Sequence, residues 1–315
     1  MALNPSMPLQ AALRSVRWVR IEFSHEALSD FEVPVEPGVR PFLGDLWRTV
    51  FGKALHREQT VSHTTAYDAI FEPGQSAAKP WCLDPPVTHE PFVPAGAVLR
   101  GAITLFGPVA RYAPDCGKAL ERFGSFGVGS SRAKLRLLEA NQIALDGSRQ
   151  ALGSADRIDG WQVFSAALSE PACRLDAGVE VALVTPLKLT QDNARVSWPP
   201  PFTALVAAAM QRAWHLAQDF AAVRLGEPGE REAWTDWAAG VALGPCTKPE
   251  RGGQANHYSR NQGHVHRVVG NLGQVAYGAP AGLAWPWLRL AQHVQIGGKP
   301  TYGFGVIQLH ERAWA

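Results

Sequence analysis

The 315-residue sequence predicts an α+β architecture built from two copies of one small sheet-and-helix module. Three observations predict it. Each half opens on a strand-like run followed by a helical one. Each half closes on a short helix, an aromatic-Gly-x-Gly turn and a final strand. A polar stretch, LDGSRQALGSADRIDG at 145–160, separates the two.

In the first half, VRWVRIEFSH (16–25) alternates apolar and polar residues at the two-residue period of a strand. PFLGDLWRTVFGKALH (41–56) spaces Leu43, Leu46, Val50 and Leu55 at helical intervals. AGAVLRGAITLFGP (95–108) reads as a strand and YAPDCGKALERFGS as a short helix. FGVG (126–129) is then a glycine turn, and SRAKLRLLEANQI a strand. The second half repeats the order. VEVALVTPLKL (179–189) is a strand, PPFTALVAAAMQRAWHLAQDFAAVR (200–224) a long helix, and HRVVGNLGQVAYG (266–278) a strand. PAGLAWPWLRLAQHV (280–294) is a helix, YGFG (302–305) the turn and VIQLHE the closing strand. One strand in each half carries no clear signal. The order β-α-β, β-α-β is that of a ferredoxin-like (RRM-like) module, four antiparallel strands backed by two helices. The expectation is a tandem, with an N-terminal domain over 1–150 and a C-terminal domain over 160–315.

Composition narrows the function classes. With 46% hydrophobic and 18% charged residues the chain has the makings of ordinary folded domains. Its net charge of +2 means that a nucleic-acid binder would have to gather positive charge on one face. Four cysteines with no CxxC pair argue against a zinc ribbon and a disulfide-dense secreted domain. No window has the apolar length of a signal core or a membrane span. A reduced, cytoplasmic protein without a membrane partner is expected.

The stretch IGGKPTYGFGVIQL (296–309) concentrates glycine ahead of the last strand. Glycine costs backbone entropy, so the cluster needs a positive φ or a close approach by another backbone. A tight turn into an edge strand satisfies that. So does a polyanion lying across Gly297, Gly298, Gly303 and Gly305, with Lys299 neutralising it and Tyr302 beside it.

Several motifs share an order. PFLGDLWRTVFGKAL comes first, then YDAIFEP…CLDPP, then LFGPVARYAP…GKALERFGSFGVGSSRAKLRLLEA and VTPLKL. HYSRNQGHVHRVVGNLGQVAYG and LRLAQHVQIGGKPTYGFG follow. Together they resemble the CRISPR-associated endoribonucleases that cut precursor CRISPR RNA within its repeats, the sixth Cas family of the RAMP superfamily. The resemblance runs from about residue 17 to about residue 309. It implies two ferredoxin-like domains, no metal or other cofactor, and cleavage leaving a 2′,3′-cyclic phosphate and a 5′-hydroxyl. It also implies repeat RNA as partner, precursor and mature, with subunits of a CRISPR effector complex as further candidates. The glycine-rich stretch and basic residues of the preceding hairpin would meet the RNA backbone.

RNA scission without a metal asks for a base, an acid and a cation. Histidine supplies the first two and Lys or Arg the third. In the family the acid/base histidine lies near the end of the first helix, which implies His56. The helix dipole there favours its protonated form, which suits an acid. His63 is the alternative, Tyr67 a partner, and Lys53 and Arg48 are charge stabilisers; ordinary capping or solvated roles stand against each. A second cluster, HYSRNQGHVHRVVGN, sets His257, Tyr258, Arg260, His264, His266 and Arg267 within a dozen residues. Tyr258 could stack on a base, and His264 and His266, two apart, would share a strand face. These histidines offer a rival site for catalysis. Arg132, Lys134 and Arg136 alternate, as a phosphate-binding stripe or a charged exposed strand would. A non-catalytic RNA-binding subunit of a CRISPR effector complex and a small-molecule enzyme on the same fold are the competing readings.

Overall fold

A computed structural model describes residues 6–57, 65–72, 78–153, 156–191, 194–220, 229–259 and 264–313. In the first half the module runs β1 (Arg17–Ala27), α1 (Gly44–Arg57), β2 (Trp81–Asp84), β3 (Val98–Phe106), α2 (Ala113–Glu121) and β4 (Leu135–Ile143). Its strands lie side by side in the order β2-β3-β1-β4, antiparallel throughout. The second half runs β5 (Ala177–Leu187), α3 (Phe202–Phe220), β6 (Glu250–Ser259), β7 (His264–Tyr277), α4 (Trp285–Val294) and β8 (Ile307–Ala313). There the order is β6-β7-β5-β8, again antiparallel, so the two sheets share one ferredoxin-like topology.

Alternation decides which face each sheet buries. Val19, Ile21 and Phe23 of β1 point to one side and meet Trp47, Phe51 and Leu55 of α1 and Leu120 of α2. Val179, Val181 and Leu183 of β5 meet Leu205, Met210 and Leu216 of α3 and Trp287 and Leu288 of α4. The early helix Met7–Ser15 packs into this second core through Leu9 and Leu13, and the helix Gly160–Leu168 does so through Val163 and Phe164. The two cores are therefore not divided strictly by sequence.

The strands that lacked a signal are β2 and β6. Four residues are too few for a period in β2, and ERGGQANHYS in β6 is glycine-rich and polar. Contacts across the halves are specific. Val39–Arg40 pairs in parallel with Arg251–Gly252 at the edge of β6. Gln295, fully buried, donates from Nε2 to Leu83 O at 2.7 Å and to Asp84 Oδ1 at 2.5 Å. Asp84 also receives the Arg20 guanidinium at 2.7 Å. Among the described residues no helix is long and apolar enough to cross a membrane.

Candidate functional site

Helix α1 buries Trp47, Val50, Phe51, Ala54 and Leu55 against its sheet, which turns Arg48, Lys53 and His56 outward. Beside its end, the short helix Ala66–Phe71 is capped by Thr65, whose Oγ1 accepts from the Asp68 amide at 3.2 Å. The rings of His56 and Tyr67 lie 5.0 Å apart. Tyr67 stacks on Phe71, also at 5.0 Å, with the planes 5° apart. The Arg48 guanidinium then sits 5.3 Å from the Phe71 ring and 4.3 Å from that of Tyr302. An aromatic ladder thus joins His56, in the first half, to the glycine-rich loop of the second.

That loop is built on unusual backbone angles. Gly297, Gly303 and Gly305 lie at φ 78°, 83° and 83°, and Lys299, with a side chain, lies at φ 69°. Gly305 is buried, and a Cβ there would collide with the Ile296 carbonyl oxygen; one at Gly303 would run into Pro85. The same angles recur at the first turn, Gly127 and Gly129 at φ 75° and 73°. Gly303 and Gly305 therefore serve close approach within the protein. Gly298 differs, being exposed, and a Cβ there would meet the Lys188 carbonyl oxygen at ordinary van der Waals distance.

Between loop, α1 and α3 lies a cleft of about 650 Å³. Its described lining carries Arg48, Lys79, Arg212 and Lys299 and no carboxylate. Burial first, then Lys188, Arg48 and Lys79, holds the Lys299 amine below the usual lysine range. Burial raises the Tyr302 phenol against the pull of Arg48. A second hollow of about 360 Å³, between the open sheet faces, mixes Arg20, Arg100 and Arg149 with Glu22, Asp84 and Glu139. Only the first has one sign of charge throughout, so a polyanion would favour it.

The other expected residues divide. Lys53 is exposed on α1 and is not part of the cleft lining. Arg132, Lys134 and Arg136 are exposed, with Ala133 and Leu135 buried between them, as alternation predicts. Lys134 Nζ donates to Ser125 O at 3.0 Å, and Arg136 is paired with Glu26, which weakens the stripe as a field. In the hairpin the backbone sets His257 opposite His266, Tyr258 opposite Val265 and Asn256 opposite Arg267, with His264 at the tip end of β7. Arg260 and His63 lie outside the described residues. Sequence reasoning missed Lys79, Arg212 and His215, which reach the cleft only through tertiary packing. The 3.6-residue spacing of Ala208, Gln211, Arg212 and His215 on the long helix was the available signal.

The class follows from this geometry: a tandem ferredoxin-like protein with a one-sign cationic cleft where its halves meet. Residues 181–307 match the family model of the CRISPR-associated endoribonuclease Cas6, and residues 16–162 match one described as an N-terminal domain. The resemblance to the sixth Cas family read from the motifs therefore holds, with a Cas6 domain in the C-terminal half. No curated protein matches the chain. The solved Cas6 of Thermus thermophilus superposes with a TM-score of 0.57 at 13% identity, over 94% of this chain and 99% of that one. A product complex of the same Cas6 gives 0.56 at 14% identity, over 93% and 99%. A chain of a partial Cas6-RT-Cas1–Cas2 complex gives 0.59 at 10% identity, over 99% of this chain and 47% of that one. At such identities the likeness is one of fold.

Proposed function

We propose that this chain is a metal-independent endoribonuclease that cuts precursor CRISPR RNA within its repeats and so produces guide RNA. The observation that carries the reading is the carboxylate-free cationic cleft between the Cas6 domain and α1. In the reaction the ribose 2′-hydroxyl gives its proton to solvent as its oxygen attacks the neighbouring phosphorus, the bond to the 5′-oxygen breaks, and a 2′,3′-cyclic phosphate and a 5′-hydroxyl result. Lys299, Arg48 and Lys79 neutralise the phosphate as charge builds. His56, at the C-terminal end of α1 with Tyr67 against its ring, gives the leaving 5′-oxygen its proton. His63 is its alternative, and Lys53 adds charge on the same helix. The exposed Arg132, Lys134 and Arg136, the hairpin residues Tyr258, Arg260, His264, His266 and Arg267, and the loop at Gly297 and Gly298 hold flanking RNA. Subunits of a CRISPR effector complex are the expected protein partners.

The test is cleavage of a repeat RNA in EDTA, with and without a 2′-deoxy sugar at the scissile nucleotide. The expected result is cutting of the unmodified RNA alone, with both RNAs bound. Cutting of the 2′-deoxy strand would contradict the mechanism. Binding without turnover of either would make the chain a crRNA-holding subunit. His56→Ala is expected to slow cutting on the order of a hundredfold with binding retained; an unchanged rate moves the acid to His63 or the hairpin.

A further inference from the structure

Residue His215 belongs to no motif and to none of the roles assigned above. It sits on the long helix α3 of the C-terminal half, on the face where Ala208, Gln211 and Arg212 also meet the cleft. Facing it across the same hollow are Arg48, Lys79 and Lys299. Arg212, only 9% exposed, donates from Nε to Val294 O at 3.0 Å, while its buried Nη2 has no hydrogen-bond partner among the described residues. A guanidinium held this deeply, with a nitrogen unsatisfied and burial outweighing the pull of Asp219, leaves that wall able to take an anion. We propose that His215 and Lys299 form a phosphate-binding subsite for the RNA strand, backed by Arg212, at which entry of the RNA phosphate is coupled to uptake of one proton by the imidazole. The proposal rests on the nuclease reading and concerns how the same cleft holds its substrate.

The electrostatics fit that role. Burial first, and then Arg212, keep the free imidazole below the ordinary histidine value, so near neutral pH it carries no charge. Arg231, on the helix Gly229–Ala239, acts the same way; Asp219, one turn along α3, opposes them and also accepts the Ala78 amide at 2.5 Å. On the other walls the described lining carries the cations Arg48, Lys79 and Lys299 and no carboxylate. An uncharged ring in a cationic cleft adds nothing to the repulsion while the site is empty. When a phosphate enters, its negative charge favours the protonated ring, which then donates a charge-assisted hydrogen bond. Linkage fixes the sign: the complex binds one more proton than the free components, so affinity must rise as pH falls.

The test is equilibrium binding of an uncleavable repeat RNA, 2′-deoxy at the scissile nucleotide, between pH 8 and pH 5.5. It is run on wild type, His215→Gln and Lys299→Ala, each checked for an unchanged melting temperature. Wild type is expected to bind on the order of tenfold more tightly at the acid end, the equivalent of about one pH unit of proton linkage. His215→Gln is expected to remove most of that rise while still binding at pH 8. Lys299→Ala is expected to keep the rise at lower affinity throughout. If His215→Gln binds with the wild-type pH profile, the subsite is wrong, even when the wild-type enzyme cuts the unmodified repeat in a parallel assay. Failure of wild type to bind the repeat at any pH would overturn the nuclease reading and the subsite together.

Discussion

Position 305 shows how little freedom the glycine-rich loop has. The Gly305 amide donates to Pro186 O at 3.0 Å and its carbonyl accepts from the Ile296 amide at 3.2 Å, in a space that holds no Cβ. Gly305→Ala combines a left-handed backbone with a backbone collision and is expected to destabilise the protein by about 3–5 kcal/mol, read by urea unfolding. Gly298→Ala makes an ordinary contact with no left-handed backbone to strain, so its stability is expected to stay within about 0.5 kcal/mol of wild type, and any loss is expected in RNA affinity instead. The sequence made this cluster legible as a place where backbone must come close. It left open which glycines answer to the fold and which face outward, because that depends on where Pro85, Ile296 and Lys188 arrive. His56 and Lys299 were candidates by type and position, and of the two Lys299 lines the cleft. Arg48 was a candidate as well, but its place between Phe71 and Tyr302 was not readable, nor was His215 on the far wall, since their partners lie far away in the chain.

At the scale of elements, the long periodic segments announced themselves and the short ones did not. α1, α3 and the central strands carry enough turns or alternations for a period to stand out. β2, at four residues, and the polar β6 were found by topology, since a ferredoxin-like module needs a strand in each place. Sequence also gave no hint that Val39–Arg40 would extend the second sheet beside β6, or that Gln295 would reach back to β2. That reach matters, because it fixes the loop's start against the first half. Gln295→Ala would leave the Leu83 carbonyl and one Asp84 oxygen short of a donor in a buried place. A loss of about 2–3 kcal/mol is expected in denaturant unfolding, with weaker RNA binding as the cleft loosens. Unaltered stability and binding would show that the halves are held elsewhere.

For the whole molecule the small net charge hides a strong local field. With the cations gathered in one cleft, repeat-RNA affinity is expected to fall steeply with salt. Lys299→Ala should lower the slope of log affinity against log salt by about 0.7, the share of one single-strand phosphate contact. Acid should also loosen the fold. Burial, helped by Arg20 and Arg289, lowers the His293 imidazole to about 4, and its ring lies 6.1 Å from that of Trp18 where the halves meet. The unfolded chain takes up that proton at its ordinary value, so the group's contribution is intact above about pH 6.5 and is lost as pH falls toward 4. The loss amounts to about 3 kcal/mol, and His293→Asn is expected to flatten the decline in melting temperature over that range.

The central claim, that the cut bond lies in the cleft joining the two modules, is open to one direct measurement. A repeat RNA carrying a photoreactive base beside a 2′-deoxy scissile nucleotide is bound, irradiated, digested and read by mass spectrometry. Crosslinks are expected on the loop at 296–305, on α1 or on the facing side of α3. Crosslinks confined to the open sheet faces around Arg100 and Arg149 would contradict it.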